Sequence, residues 1–370
     1  MRLAVVVLAC ACSKKTETPP APGSGSGSAM KAPAPGPAPV AGPCVFPTKM
    51  AATPDETAWQ LFVAATCPVG TSYPYVAWEN WIEQSQLFDP GAAKLAANER
   101  PRFHASPLAE AIARKQPLKF QIANQDCNSA TKSGRTICEE ARMSPDTQKY
   151  MTSNSLLTVT GEEAFIGASK TFELTPPSIE IKADWILLPS CDGPPAGVHV
   201  EQVAGKCYAL GGMHLISKLT ENWVWATFEP QNPVTNPQRC VVLGCNDPWG
   251  VTPGAIPAGP TIPDSTLNAG LAQLMTDAKL APEWRNYRLD GVQTAYVDAS
   301  GQPTLLGNSI IEGDNVGADL KTSSCMTCHD ASSIDSQGNQ GNPDFVVGNP
   351  APLAPGLVRR DFVWAFLLAH

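Results

Sequence analysis

Cys325-Met326-Thr327-Cys328-His329, preceded by Ser323-Ser324, is the stretch whose residue types and spacing carry chemistry. Two thiols three positions apart reach the two vinyl groups of one porphyrin, and the imidazole beside the second thiol turns under the iron. Cys-x-x-Cys-His is therefore the attachment signature of a c-type haem. In this reading Cys325 and Cys328 form the thioethers and His329 is the proximal iron ligand. With 12 cysteines and 5 histidines in 370 residues, chance supplies roughly 0.005 such pentads. A tetrahedral zinc site completed by Cys240 and Cys245 needs reduced thiols, and the start of the chain argues against a reducing compartment. A thioredoxin-like redox pair needs a strand-to-helix pattern leading into Cys325, and the sequence has none there.

The chain begins Met1-Arg2 and continues through a short apolar run to Cys10-Ala11-Cys12-Ser13-Lys14-Lys15. A transmembrane helix needs about 20 apolar residues, so this run reads as an export signal. It resembles a bacterial lipoprotein signal, with Cys12, or Cys10, as the lipid acceptor; a simple secretory signal is the competing reading. If Cys10 leaves with the signal, Cys12 carries lipid and the haem takes two thiols, eight cysteines remain, an even set that suits disulfides in an oxidising compartment. Proximity in sequence pairs Cys44 with Cys67, Cys127 with Cys138, Cys191 with Cys207 and Cys240 with Cys245, one of 105 connectivities. The net charge of -8 comes without a basic stripe, which argues against nucleic acid as a partner.

The elements that position the motif follow from periodicity. Residues 1–12 are signal and residues 13–43, rich in Pro, Gly and Ser, a disordered tether; 44–300 form an α+β domain with disulfides, and 301–370 a haem-attachment segment packed on it. Helical spacing is expected over 54–65, over 78–88 with Trp78, Trp81 and Ile82 on one face, over 107–114 and over 267–280. The tryptophans read as core. Period-two alternation marks strands over 179–187, 208–218 and 223–229. A loop centred on Leu219-Asn222 sets His214 opposite Thr227 and Lys218 opposite Trp223. One face then carries His214, Ile216, Lys218, Trp223, Trp225, Thr227 and Glu229, either as the wall of a haem pocket or as a paired His and Glu beside packed indoles. Residues 232–265 form a covering loop, Asn308 and Glu312 lie on a turn near the haem or in solvent, and 359–368 form an amphipathic helix. The fold class is α+β: a helical N-terminal part, a central mainly antiparallel β-sheet and a helical C-terminal cytochrome c-like segment.

No methionine follows His329, and the only later histidine is His370. The sixth iron position is therefore open or filled from upstream. Met213 and His214 are the leading candidates, with His104 and His199 behind them, and as strand neighbours Met213 and His214 point to opposite faces.

On its haem motif the sequence resembles c-type cytochromes. More loosely, Gly212-Met213-His214 with Lys218, Trp223 to Glu229, and Asn308 to Glu312 resemble a group of uncharacterised bacterial exported monohaem cytochromes. Pro230 stands where that resemblance implies a histidine. What it implies is one covalent haem c and no substrate. The leading expectation is a periplasmic carrier of single electrons, held to a bacterial membrane by its lipid anchor alone and serving a redox partner protein. The alternative is a peroxidase- or oxygenase-like haem enzyme with an open sixth site. A gas or redox sensor is a third class, but no signalling domain accompanies the motif. The domain is larger than one haem needs, which points to a bound partner or substrate.

Overall fold

The computed structural model describes residues 42–69, 75–88, 127–203, 205–262, 264–341 and 345–369. The signal, all but two residues of the tether, the helix expected over 107–114, His104 and His370 lie outside them. Among the described residues no helix is long and apolar enough to cross a membrane.

Helix α1 (Pro54–Ala65) begins where the sequence places it. The Thr53 hydroxyl accepts from the Glu56 amide, Pro54 opens the first turn, and Asp55 and Glu56 sit at the positive end of the helix dipole. The second expected helix is broken. A 3-10 turn (Ala77–Asn80) leads into β1 (Ile82–Glu83) and a short α2 (Gln84–Phe88), because the Trp81 carbonyl accepts from the Arg142 guanidinium instead of continuing a helical ladder.

The centre is a seven-stranded antiparallel sheet: β1, β2 (Ile137–Met143), β3 (Ile179–Leu187), β4 (Val200–Val203), β5 (Lys206–Ser217), β6 (Val224–Pro230) and β7 (Tyr287–Gln293). Its order is β1-β2-β3-β5-β6-β7, with β4 paired to the first half of β5. The hairpin register matches the alternation: His214 faces Thr227 and Ile216 faces Trp225. A bulge between β3 and β5 shifts the pairing from Asp184–Gly212 to Trp185–Leu210 and leaves Gly211 as the extra residue. A Cβ at Gly211 would meet Ile186 Cδ1 at 2.7 Å, so a larger residue in the bulge would have to displace that side chain.

Alternation sends the two sides of each strand to different cores. Ile179, Ile181, Ala183 and Trp185, with Met213, Leu215 and Phe228, pack against α1 and a later helix, α3 (Ala269–Asp277). Phe62 stacks on Phe228 at 4.4 Å in the middle of this core. The opposite face holds Met143, Ile216, Trp223 and Trp225 against Met326, Phe362 and Phe366 from the C-terminal segment. That segment is not helical in the expected sense. It comprises a π-helical turn (Ser309–Val316), one α-turn at the cysteine motif, a strand pair Ser333–Ile334 with Val358–Arg359, and a 3-10 turn (Trp364–Leu368). The amphipathic helix expected over 359–368 is replaced because both sides of this stretch are buried. Arg360, fully buried, pairs with Glu162, and Phe366 fills the core.

Among the described residues, four disulfides pair Cys44 with Cys67, Cys127 with Cys138, Cys191 with Cys207 and Cys240 with Cys245, the pairs of sequence neighbours. Loops of 23 and 5 residues predict unequal stabilisation. Replacing Cys44 and Cys67 together is expected to cost about 3 kcal/mol, and replacing Cys240 and Cys245 about 2 kcal/mol, in urea denaturation. The reverse ranking would contradict a loop-entropy origin.

Candidate haem site

The motif forms helix α4 (Cys325–Asp330), capped by the Ser324 hydroxyl, which accepts from the Thr327 amide. Positions 325, 328 and 329 share one helical face, while Met326 and Thr327, fully buried, point into the core. Gln293 from β7 clamps the start of the helix: its Oε1 accepts from the Met326 amide at 3.0 Å and its Nε2 donates to the Ser324 hydroxyl at 2.7 Å. At the other end Asp330 accepts from the Arg359 guanidinium at 2.7 Å and the Ala351 amide at 2.6 Å. The one-turn helix is therefore held at both ends by side chains from elsewhere in the chain.

Cys325 carries a free thiol, and burial pushes its pKa well up, with the nearby Glu312 carboxylate adding to the effect. Cys328 is disulfide-bonded, so thioether formation there requires the reduced precursor. Cys240 and Cys245 are bonded to each other, which removes the tetrathiolate zinc alternative.

His329 is oriented by one strong constraint. Its Nδ1 lies 2.8 Å from the Phe362 carbonyl oxygen. A carbonyl only accepts, so Nδ1 carries the proton and donates, and Nε2 keeps its lone pair. Burial holds the ring neutral, its pKa pushed down to about 4, a shift the Phe362 hydrogen bond offsets only in part and the Lys182 charge reinforces. The Trp225 ring packs against the imidazole with centroids 4.7 Å apart. A neutral imidazole held by a backbone carbonyl with Nε2 presented is the donor that haem iron takes.

The sheet brings His214 toward the same volume. His214 and Trp225 are diagonal cross-strand neighbours on the face that α4 covers. His214 Nε2 donates to both Glu312 oxygens, at 2.9 and 3.1 Å, and the Asn308 amide holds one of those oxygens at 2.6 Å. Burial alone would raise the Glu312 pKa, but the interactions with His214, Lys182 and the Asn308 backbone amide outweigh it and hold the carboxyl down at about 2. Nε2 is thus committed to the carboxylate. His214 Nδ1 is buried and has no hydrogen-bond partner. A buried imidazole nitrogen with its other nitrogen on a carboxylate has the arrangement of a metal ligand.

Met213 faces the other way, packed in the α1-side core and fully buried, so the structure does not bring it to the motif. His199 also lies elsewhere, beside Trp185 and Trp284 with ring centroids at 5.7 and 4.3 Å. Lys218 and Glu229 share the His214 face but are occupied. Lys218 pairs with Asp361 at 2.6 Å, and Glu229 accepts from the Ser309 amide and the Asn236 side chain, each at 2.5 Å. Asn308 is fully buried, caps the π-helical turn and donates to the Thr227 hydroxyl at 2.9 Å, so the segment is not a solvated turn.

Three site residues escape sequence reasoning: Gln293, Asp361 and the Phe362 carbonyl. Gln293 falls on the core-facing register opposite Trp225, where a polar residue in an apolar position was the available signal. Nothing in the residue type reveals a backbone carbonyl.

The depressed Glu312 pKa has a stability consequence. The contribution is present above the ordinary value of 4.5 and is lost as pH falls toward 2. Glu312→Gln is therefore expected to flatten the decline of unfolding free energy between those limits by about 2 kcal/mol. Denaturation curves at stepped pH check this, and an unchanged slope would contradict it.

Searches against models of known protein families, curated proteins and solved structures return no match to this chain.

Proposed function

We propose that this protein is a monohaem c-type cytochrome that passes single electrons. Cys325 and Cys328 hold the haem, His329 is the proximal ligand and His214, through Nδ1, is the second. The observation that carries this reading is the pair of imidazoles whose outer nitrogens are spoken for. Phe362 O fixes His329 Nδ1 and Glu312 fixes His214 Nε2, which leaves one lone-pair nitrogen on each ring. When bound, the haem supplies a one-electron Fe(III)/Fe(II) couple. The chain's own residues hold the two imidazoles, exclude water with Trp225, Ile216 and Met326, and keep the partly buried Glu312 carboxylate on the outer nitrogen of His214. Four disulfides support export to an oxidising compartment, in keeping with lipid anchoring through Cys12 or Cys10 in the periplasm.

The test is co-expression with a haem-attachment system, followed by denaturing electrophoresis with haem staining and intact-mass measurement. One haem per chain is expected to survive denaturation. Cys325→Ala and Cys328→Ala are each expected to cut covalent haem severely, and the double variant to abolish it. A wild-type chain that matures without haem sinks the reading. An enzyme with an open sixth site is the competing reading, and the carbon monoxide response separates the two.

A further inference from the structure

A second cluster of donor atoms lies away from the haem motif. His199 precedes β4, Glu79 sits in the 3-10 turn Ala77–Asn80, Glu201 is on β4, and Glu283 is in the 3-10 turn Pro282–Asn286. His199 Nε2 is 2.8 Å from Glu79 Oε1 and 3.2 Å from Glu201 Oε1, and the three donor atoms lie within 4.8 Å of one another. On the other side of the ring, His199 Nδ1 faces Glu283 Oε1 at 3.9 Å. Side-chain exposure is 0% for Glu79, 7% for His199 and 12% for Glu201, so this is not a solvated acidic surface.

We propose that Glu79, His199 and Glu201 bind one divalent transition-metal ion of the zinc or manganese class, with Glu283 orienting the imidazole from behind. Ligands about 2.1 Å from such an ion and at roughly right or tetrahedral angles to one another stand about 3.0–3.4 Å apart, close to the spacing found here. One imidazole with two carboxylates is a donor set for these ions and a poor one for calcium, which takes oxygen ligands only. The surroundings are those of a held ligand. Trp284 packs against the ring at a 31° tilt with centroids 4.3 Å apart, the His199 amide donates to the Tyr287 hydroxyl at 3.2 Å, and Glu79 Oε2 is fixed by the Val76 amide at 3.0 Å. Glu283 stands 3.9 Å from the far nitrogen, on the side from which a carboxylate closes a carboxylate–histidine–metal relay. The site stands on geometry independent of the haem reading.

The test uses the mature full-length chain, dialysed against chelator, then titrated calorimetrically with Zn²⁺ and with Mn²⁺, with Ca²⁺ as control. Metal analysis counts zinc and manganese separately from haem iron. One saturable equivalent of Zn²⁺ or Mn²⁺ per chain is expected, with no comparable Ca²⁺ binding. Glu201→Gln preserves shape at a partly accessible position and is expected to remove the saturable site. Glu283→Gln is expected to weaken it about tenfold to a hundredfold. Far-ultraviolet circular dichroism confirms that each variant is folded. Absence of a saturable equivalent in the wild type overturns the proposal, as does binding that Glu201→Gln leaves unchanged.

Discussion

A His214→Ala variant is expected to keep its covalent haem and lose its closed iron. The thioethers depend on Cys325 and Cys328, and His329 is held by Phe362 O, so attachment and the proximal bond survive the change. What disappears is the one histidine that, among the described residues, lies with the motif on the α4 face of the sheet: Met213 is buried in the opposite core and His199 belongs to the Glu79 cluster. An internal ligand that occupies the iron about 99% of the time lowers the apparent affinity for an external ligand about a hundredfold. Removing it is therefore expected to raise carbon monoxide or cyanide affinity by about that factor and to convert a low-spin ferric spectrum to high-spin. Glu312→Gln tests the same bond from behind and is expected to give a smaller effect, about tenfold, because the imidazole remains but is less basic and less well aimed. A His214→Ala protein with wild-type spectrum and ligand affinity would remove His214 from the iron.

The second large effect is expected at Asp361, which no reading of residue types singles out. Its carboxylate accepts from Lys218 Nζ at 2.6 Å, from Trp223 Nε1 at 3.1 Å and from the Leu174 amide at 2.6 Å. Burial raises the Asp361 pKa, and the Lys218 ion pair opposes that. The backbone here is unusual: Asp361 and Phe362 have φ of 50° and 66°, a left-handed region costly for residues with a Cβ. This bend aims the Phe362 carbonyl at His329. Asp361→Ala leaves a buried ammonium without its counter-charge, held only by the Glu221 carbonyl, and a buried indole N–H without its acceptor, and is expected to cost about 3–5 kcal/mol in denaturant unfolding. Combining it with Lys218→Met removes the stranded charge and is expected to recover more than half of that loss. Because the Phe362 carbonyl loses its anchor, the variant is also expected to shift the haem reduction potential, a change that a remote packing defect would not cause. A loss below about 1 kcal/mol would show that Asp361 is not the hub.

Three strands of the sheet, β3, β5 and β6, were legible because their residues alternate and the turn joining β5 to β6 is short, whereas β1, β2 and β4 were not. Ile179-Glu180-Ile181-Lys182 reads as a strand whichever face is buried, and Leu219-Asn222 sets the register that brings His214 opposite Thr227. The disulfides were legible because near neighbours close small loops. The C-terminal segment was not. Arg359 to Leu368 has a spacing that suits an amphipathic helix, but that pattern assumes one wet face, whereas Arg360 and Phe366 are both fully buried here. The partner of His214 was also hidden. Glu229 lies on the same sheet face and reads as the natural partner, yet Glu229 is taken by Ser309 and Asn236, and the π-helical turn delivers Glu312 from 98 residues away. Pairings of that range depend on how a loop packs, which local periodicity does not encode.

The most direct test is the visible spectrum of the haem-loaded wild-type protein, ferric and dithionite-reduced, before and after addition of carbon monoxide. A low-spin ferric spectrum and a sharp reduced α-band that carbon monoxide leaves unchanged are expected for His329 and His214 on the iron. A high-spin ferric spectrum with a carbon monoxide shift would contradict His214 ligation and make the site that of a ligand-binding haem enzyme.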